Sequence, residues 1–557
     1  MSIRSWILVG CTGCGGTPGR LPVATDFITE VGTDAALDTA NPEIMGDPAP
    51  YDPAPPGRLV RRAHLELLGT LPPVELVRAA ETDLEGALAA VPDADGLEEG
   101  LVDFFDRAWS MRLDSQDFTP TEVDDANRVA WAQMVGEEPL RLAAHIVAED
   151  QPWSTVVTAD WTMATPELAA LWPLEVDGST GWHNARYTDG RPAGGVLFTN
   201  GFRWRFPSGP NNQQRSRANA LSRMFLCFDY LDLPVAFDRS VLGESGDLTT
   251  ATRTEPACLS CHATLDPIAA GLFGFLSFES YDLVEQSLYH PEREPMGPAD
   301  MEVAYDWYGT PYAGAVELGS MVASDPRFAQ CAVETVAATL WQRDIDTAVD
   351  ALELAALQAV YDESGGRLLP VIRAAMQQPT WQAGQLQTGA TPTVEVGRAR
   401  MLTTHQLSRA IEEATGYRWT TNNADLLTTA ESGYRAISGG GDPATFTPPA
   451  DRPGVGHALV LDRVAWAAGV TAARGDLAGS GPGLLAGVSA DTRPGTGTFD
   501  AVLEHLHLRL HGVAPTADER AAVAALWQSV FDLSNDPTTA WATVVAALLR
   551  DPHFWTA

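Results

Sequence analysis

Along most of the chain the apolar positions recur every three or four residues, the repeat of a helix with one buried face, and strict alternation is brief. From Arg58 the residues Leu59, Val60, Ala63, Leu65, Leu67 and Leu68 fall at helix spacing. Gly69 and Pro72 then supply a cap and a stop. A near-copy lies at the far end, where Leu506, Leu508 and Leu510 lead into Gly512 and Pro515. In both copies a carboxylate, Glu75 or Asp518, sits three residues past the proline. A second echo links Met376–Trp381 with Leu549–Phe554, each closing an Ala-rich amphipathic run, so two related helical units are expected. Between them, Trp182 to Pro210 is rich in Gly, Asn, Arg and aromatics and reads as irregular or as short strands. Helix returns at Asn211 to Cys227; Gln382 to Gly397 reads as a polar linker, and Ser438 to Gly456 and Gly475 to Gly497 as loops.

The pattern predicts a mainly α, multidomain helical protein with long loops. The segments are an N-terminal signal and tether (1–57), a helical domain (58–175), a cysteine-bearing segment (176–320), a second helical domain (321–385) and a C-terminal helical unit (386–557) that partly repeats the first. With 557 residues and 45% hydrophobic side chains, the chain has ample material for buried cores.

Charge narrows the partners. A formal net charge of -37 repels nucleic acid and anionic lipid headgroups, so nucleic-acid binding is set aside. Every basic residue among the 36 is arginine, which removes Schiff-base, lysine-nucleophile and P-loop chemistry. No run approaches the roughly 18 apolar residues of a membrane span. Arg4 followed by Ser5 to Gly10 has the order of an export signal, although its apolar core is shorter than the usual roughly 7 to 15 residues. Leu8-Val9-Gly10-Cys11 is similar to a bacterial lipoprotein cleavage box, making Cys11 the candidate lipidation site. The acidic, Pro-rich stretch up to Pro56 reads as a tether.

The chemistry concentrates in Cys258-Leu259-Ser260-Cys261-His262, the Cys-x-x-Cys-His pattern of c-type haem attachment. A helix sets the two thiols one turn apart for thioether formation and directs the His262 imidazole at the iron, so one covalent haem c is expected. Thr254 reads as the N-cap with Pro256 in the first turn, and Asp266-Pro267 as the end of that helix. Leu265, Ile268, Leu272, Phe273, Phe275, Leu276 and Phe278 are candidates to wall the porphyrin from water. A zinc site needs two further ligands that are not nearby, and a thioredoxin-type pair needs a βα unit that is not visible.

The run Arg253-x-x-x-x-Cys258-x-x-Cys261-His262-x-x-Leu265-Asp266-Pro267, then Phe278-Glu279-Ser280-Tyr281-Asp282, Gly309-Thr310-Pro311-Tyr312-Ala313-Gly314 and Asp325-Pro326-Arg327-Phe328-Ala329-x-Cys331, resembles planctomycete- and myxobacterial-type cytochrome c-domain proteins. The likeness is best over residues 194–381 and departs where Ile268-Ala269-Ala270 precede Gly271, a position at which the family has a glycine close behind Asp-Pro. The resemblance implies an exported haem protein assembled from several domains around one haem segment.

Remaining candidates refine the site. Arg253 is a candidate partner for a haem propionate. For a sixth iron ligand Met301 is chosen over Met296, both flanking a Gly-Pro loop, because Val303, Tyr305 and Trp307 alternate after Met301 as a strand would. Met321 falls at the helical spacing of a core residue, and His290 is the choice for a bis-histidine site. Cys227 and Cys331 are expected to pair as a disulfide in an oxidising compartment. His505, His507 and His511 share one helix, but no Glu completes a metalloprotease motif and His511 precedes the Gly512 cap, where a helix end favours a cation; the trio reads as structural. Gly479-Ser480-Gly481-Pro482-Gly483 has no preceding strand and reads as a loop. The expected role is one-electron transfer to a redox partner, in the periplasm or as an outer-membrane lipoprotein touching the membrane only through its anchor. The alternatives are a haem enzyme of peroxidase or oxidase type with an open sixth position, and an envelope scaffold stabilised by haem.

Overall fold

The computed structural model describes residues 51–557 apart from 114–122, 125–126, 235–247, 279–286, 348, 390–399, 422–423, 430–432, 442–448 and 451. Cys11, Cys14, the signal and most of the tether lie outside the described residues, as does the Glu279–Asp282 part of the family-like motif. Helices dominate what remains, and strands occur only as short two- and three-stranded pieces. The mainly α reading is therefore the observed class. No helix among the described residues is long and apolar enough to cross a membrane.

Two large hydrophobic clusters, with a smaller third around Trp131, Trp172 and Trp204, hold most of the unit that runs from Ala49 to Ala557. The first draws residues from Leu59 to Trp381, so the expected segments 58–175, 176–320 and 321–385 all feed it. The second is built from Leu402 to Phe554 with Leu65 and Leu71 added. The first helix, Pro56–Leu67, begins with Pro at N1 and is buried nearly all round, so its side chains reach both clusters. Arg61 is turned one way, with Nε donating to the Leu510 carbonyl (2.8 Å) and its terminal nitrogens to Phe554 (2.5 Å) and Thr556 (2.8 Å). Arg62 is turned the other way, donating to the Trp381 (2.8 Å) and Leu340 (2.6 Å) carbonyls. Each arginine satisfies carbonyls at helix ends that have no intrahelical partner. Burial pushes Arg61 down to about 9, so it still carries its charge at neutral pH.

The two echoes are both helix, turn, helix. Pro56–Leu67 passes through Gly69 (φ 65°) to Val74–Ala80, and Gly497–His511 passes through Gly512 (φ 73°) to Ala517–Ser534. Both glycines hold the left-handed conformation that ends a helix. The copies touch: a Cβ on Gly57 would lie 2.2 Å from the Gly512 carbonyl oxygen, so only glycine allows that approach.

Long-range pairing corrects two local readings. Tyr51–Pro53, inside the expected tether, pairs antiparallel with Ala383–Leu386, inside the expected linker. Neither segment has an alternating pattern; Tyr51 opposite Leu386 and the Ala54 N–H on the Gln382 carbonyl (2.8 Å) fix them instead. In the Trp182–Pro210 region one strand, His183–Tyr187, is central to a three-stranded sheet with Thr162–Ala164 and Leu174–Val176. Asn200–Arg205 is helical there, capped by the Thr199 side chain.

Candidate haem-attachment site

The Cys-x-x-Cys-His segment lies on the helix Pro256–Ala270. Its N-cap is Glu255, one residue later than expected, because Thr254 closes the preceding helix Leu248–Thr254, its hydroxyl donating to Thr250 O (3.0 Å). Nor does the helix stop at Asp266-Pro267. It runs to Ala270 with Pro267 inside it. An internal proline removes one backbone bond, but here residues 265–270 are all buried and the Tyr312 hydroxyl donates to the Pro267 carbonyl (3.1 Å), holding the turn together.

Cys258 and Cys261 are free thiols, half-buried and three residues apart, hence neighbours on the helix surface. His262 follows, with 21% of its side chain accessible. Its Nδ1 lies 2.8 Å from Asp266 Oδ1, one turn on. An ionised carboxylate only accepts, so Nδ1 carries a proton and Nε2 is the nitrogen left to face a ligand. Asp266 is gripped on both oxygens by Arg215, at 2.7 and 2.8 Å. Burial alone would raise the Asp266 carboxyl, but the Arg215 and His262 hydrogen bonds outweigh it and hold it below its ordinary value. Beyond the imidazole, Thr264 joins Tyr230 (2.9 Å) and, through it, Tyr308 (3.1 Å).

The donor set fits a covalently held haem: two free thiols one turn apart, and an imidazole whose second nitrogen is fixed by a carboxylate. The Asp266–Arg215 support is absent from the sequence reading, where Asp266 serves only as a helix stop. Its signal was the i,i+4 spacing from His262.

Other expected participants are placed differently. Arg253 is held by the Glu302 carboxylate (2.5 Å) and the Asp300 carbonyl (3.0 Å). The expected methionine loop is a helix, Met296–Met301. Pro298 is tolerated in its first turn. Gly297 lets it rest on the cysteine helix, since a Cβ there would lie 2.4 Å from the Ala270 carbonyl oxygen. Met301 is 1% exposed and packed in the first cluster, while Met296 and Met321 are half-buried at its edge. Only Asp306–Trp307 of the expected strand pairs, with Thr310–Pro311. Leu265, Ile268, Leu272, Phe273, Phe275 and Leu276 are buried in the core, and Phe278 is exposed. Phe275, for example, sits between the rings of Phe198 (4.8 Å) and Tyr289 (5.0 Å). His290 Nδ1 lies 3.1 Å from Glu292, and its Nε2 is buried without a hydrogen-bond partner.

Cys227, in the left-handed conformation that ends the helix Arg215–Leu226, is joined to Cys331 by a disulfide with a Cα separation of 5.1 Å. The helix carrying Arg215 is thus the one pinned by this bond. Compared with family models, curated proteins and solved structures, the chain matches none.

Proposed function

We propose that the chain is an exported c-type haem protein, with one covalent haem on Cys258, Cys261 and His262, that passes single electrons to a redox partner at the bacterial cell envelope. The observation that carries this reading is the pair of free thiols beside an imidazole whose Nδ1 is committed to Asp266. Bound there, haem supplies a one-electron iron couple. The chain's own part is to anchor through the thiols, to offer His262 Nε2, and to fix that ring through Asp266 and Arg215. Export is supported by the Cys227–Cys331 bond, which suits an oxidising compartment. The resemblance to cytochrome c-domain proteins points the same way. Protein made alongside a c-haem maturation system is expected to keep its red colour through denaturation and acid-acetone extraction, and Cys258→Ala/Cys261→Ala to lose it. Complete release of haem from the unmutated chain into the solvent overturns the reading.

A haem enzyme is the second reading, favoured by the Asp266 carboxylate on His262 together with the burial of Met301 in the core. A carboxylate partner raises the donor strength of an axial imidazole, and a core methionine is not free to close the opposite side. Rapid carbon monoxide binding to the reduced protein selects this reading, and inertness selects the electron carrier.

A further inference from the structure

Far along the chain from the cysteine helix, the structure assembles a second set of donors from two segments. His511 ends the helix Gly497–His511, and Asp551 and His553 start the last short helix, Pro552–Trp555. One donor atom from each of the three lies within 4.8 Å of the others. The Leu548 carbonyl, 3.0 Å from His511 Nε2, takes that N–H and leaves Nδ1 with its lone pair. His507, one turn before His511 with ring centroids 5.1 Å apart, has its Nε2 buried and without a hydrogen-bond partner. His511 and His553 line a cleft of about 650 Å³, bordered also by Arg58, Arg61 and Glu519.

We propose that His511, Asp551 and His553 form a site for one divalent first-row transition-metal ion of the zinc type, with an exchangeable position facing the cleft. Two imidazoles and a carboxylate are a ligand set of the kind these ions prefer, and three protein ligands leave at least one coordination position for water or a small anion. Bonds of about 2.0–2.1 Å set tetrahedral donors roughly 3.4 Å apart; here the donor atoms lie within 4.8 Å of one another, with His553 Nδ1 already 2.9 Å from Asp551 Oδ1. His511 is 3% exposed, and burial pushes it down to about 4, against the expectation that the helix end makes it a cation. The opposing charges are Arg58, near Asp551 and Glu519, and Arg61, which is tied to three carbonyls.

The test uses the full chain without a histidine tag, carrying Cys258→Ser and Cys261→Ser so that neither the thiols nor haem compete. After chelator dialysis, Zn²⁺ is titrated by calorimetry and Co²⁺ by its visible d–d absorption. One ion per chain is expected. His553→Ala, at a side chain 41% exposed and so compatible with folding, is expected to weaken binding at least about tenfold, and His505→Ala on the same helix to leave it unchanged. Absence of stoichiometric binding in the parent chain, or equal affinity in His553→Ala with an unchanged melting curve, overturns the proposal.

Discussion

Removing the Cys227–Cys331 bond tests how the region around the cysteine helix is held. The two cysteines are 104 residues apart in sequence, and the closed loop contains the whole cysteine helix, Pro256–Ala270. In the chain-entropy treatment, a cross-link closing a loop of that length removes about 16 cal/mol/K from the unfolded ensemble, or about 4.7 kcal/mol at 25 °C. The Cα separation of 5.1 Å lies inside the usual span, so the native state gives little of this back through distortion. Cys331 is 1% exposed, so alanine there also forfeits some packing. Cys227→Ala/Cys331→Ala is therefore expected to lose about 3–5 kcal/mol in urea unfolding against the oxidised parent, with a steeper denaturant slope because the uncrosslinked chain exposes more surface. Thiol titration of the denatured, unreduced parent provides the chemical control. A loss below about 1 kcal/mol with an unchanged slope, or free Cys227 and Cys331 in that titration, refutes the reasoning.

Three further outcomes follow from other sites. Asp266→Asn in the haem-loaded protein removes the anionic partner of His262; a hydrogen bond of that kind is worth about 1.5 kcal/mol, so spectroelectrochemistry is expected to show the potential rising by about 60 mV, and an unchanged potential counts against the contact. His64 is pushed down to about 4, first by burial and then by Arg509, so the folded state holds it neutral. Its contribution is complete above the unfolded value near 6.5 and is lost as pH falls toward 4; the parent is expected to lose about 3 kcal/mol more than His64→Leu over that window, measured as paired urea melts. Glu66, fully buried, accepts from Arg62 (3.1 Å), Trp381 Nε1 (3.2 Å) and Gln342, so Glu66→Ala strands three donors, one charged, and is expected to cost about 3–5 kcal/mol in the same assay.

What the sequence disclosed was mostly local. Helix spacing and the glycine and proline stops at Gly69, Pro72, Gly512 and Pro515 are short-range signals, and they placed both helix-turn-helix units because the left-handed cap is decided within a few residues. Where tertiary contacts outbid local preference the reading failed. Pro267 looks like a stop until the burial of its neighbours and the Tyr312 hydroxyl are counted. Met296–Met301 looks like a loop until Gly297 is found against Ala270. The strand pair of Tyr51–Pro53 with Ala383–Leu386 carries no period to detect. For the candidate site, Cys258, Cys261 and His262 stand out in the sequence because the Cys-x-x-Cys-His pattern is short and local. Arg215 arrives from 51 residues away, and the meeting of His511 with Asp551 and His553 depends on how two helix ends are packed, which no short motif encodes.

The back-to-back arginines of the first helix bear on inheritance. Read as sequence, the C-terminal unit resembles a module that could be copied or exchanged on its own. Yet Arg61 satisfies carbonyls of Leu510, Phe554 and Thr556 from the opposite end of the chain, while its neighbour Arg62 serves Leu340 and Trp381. A recombination event in the stretch after Leu386 would strand a buried guanidinium in one product and unsatisfied helix ends in the other. The two halves are therefore coupled through one helix, and a foreign C-terminal half is expected to fit only if it brings helix ends that match the same arginine.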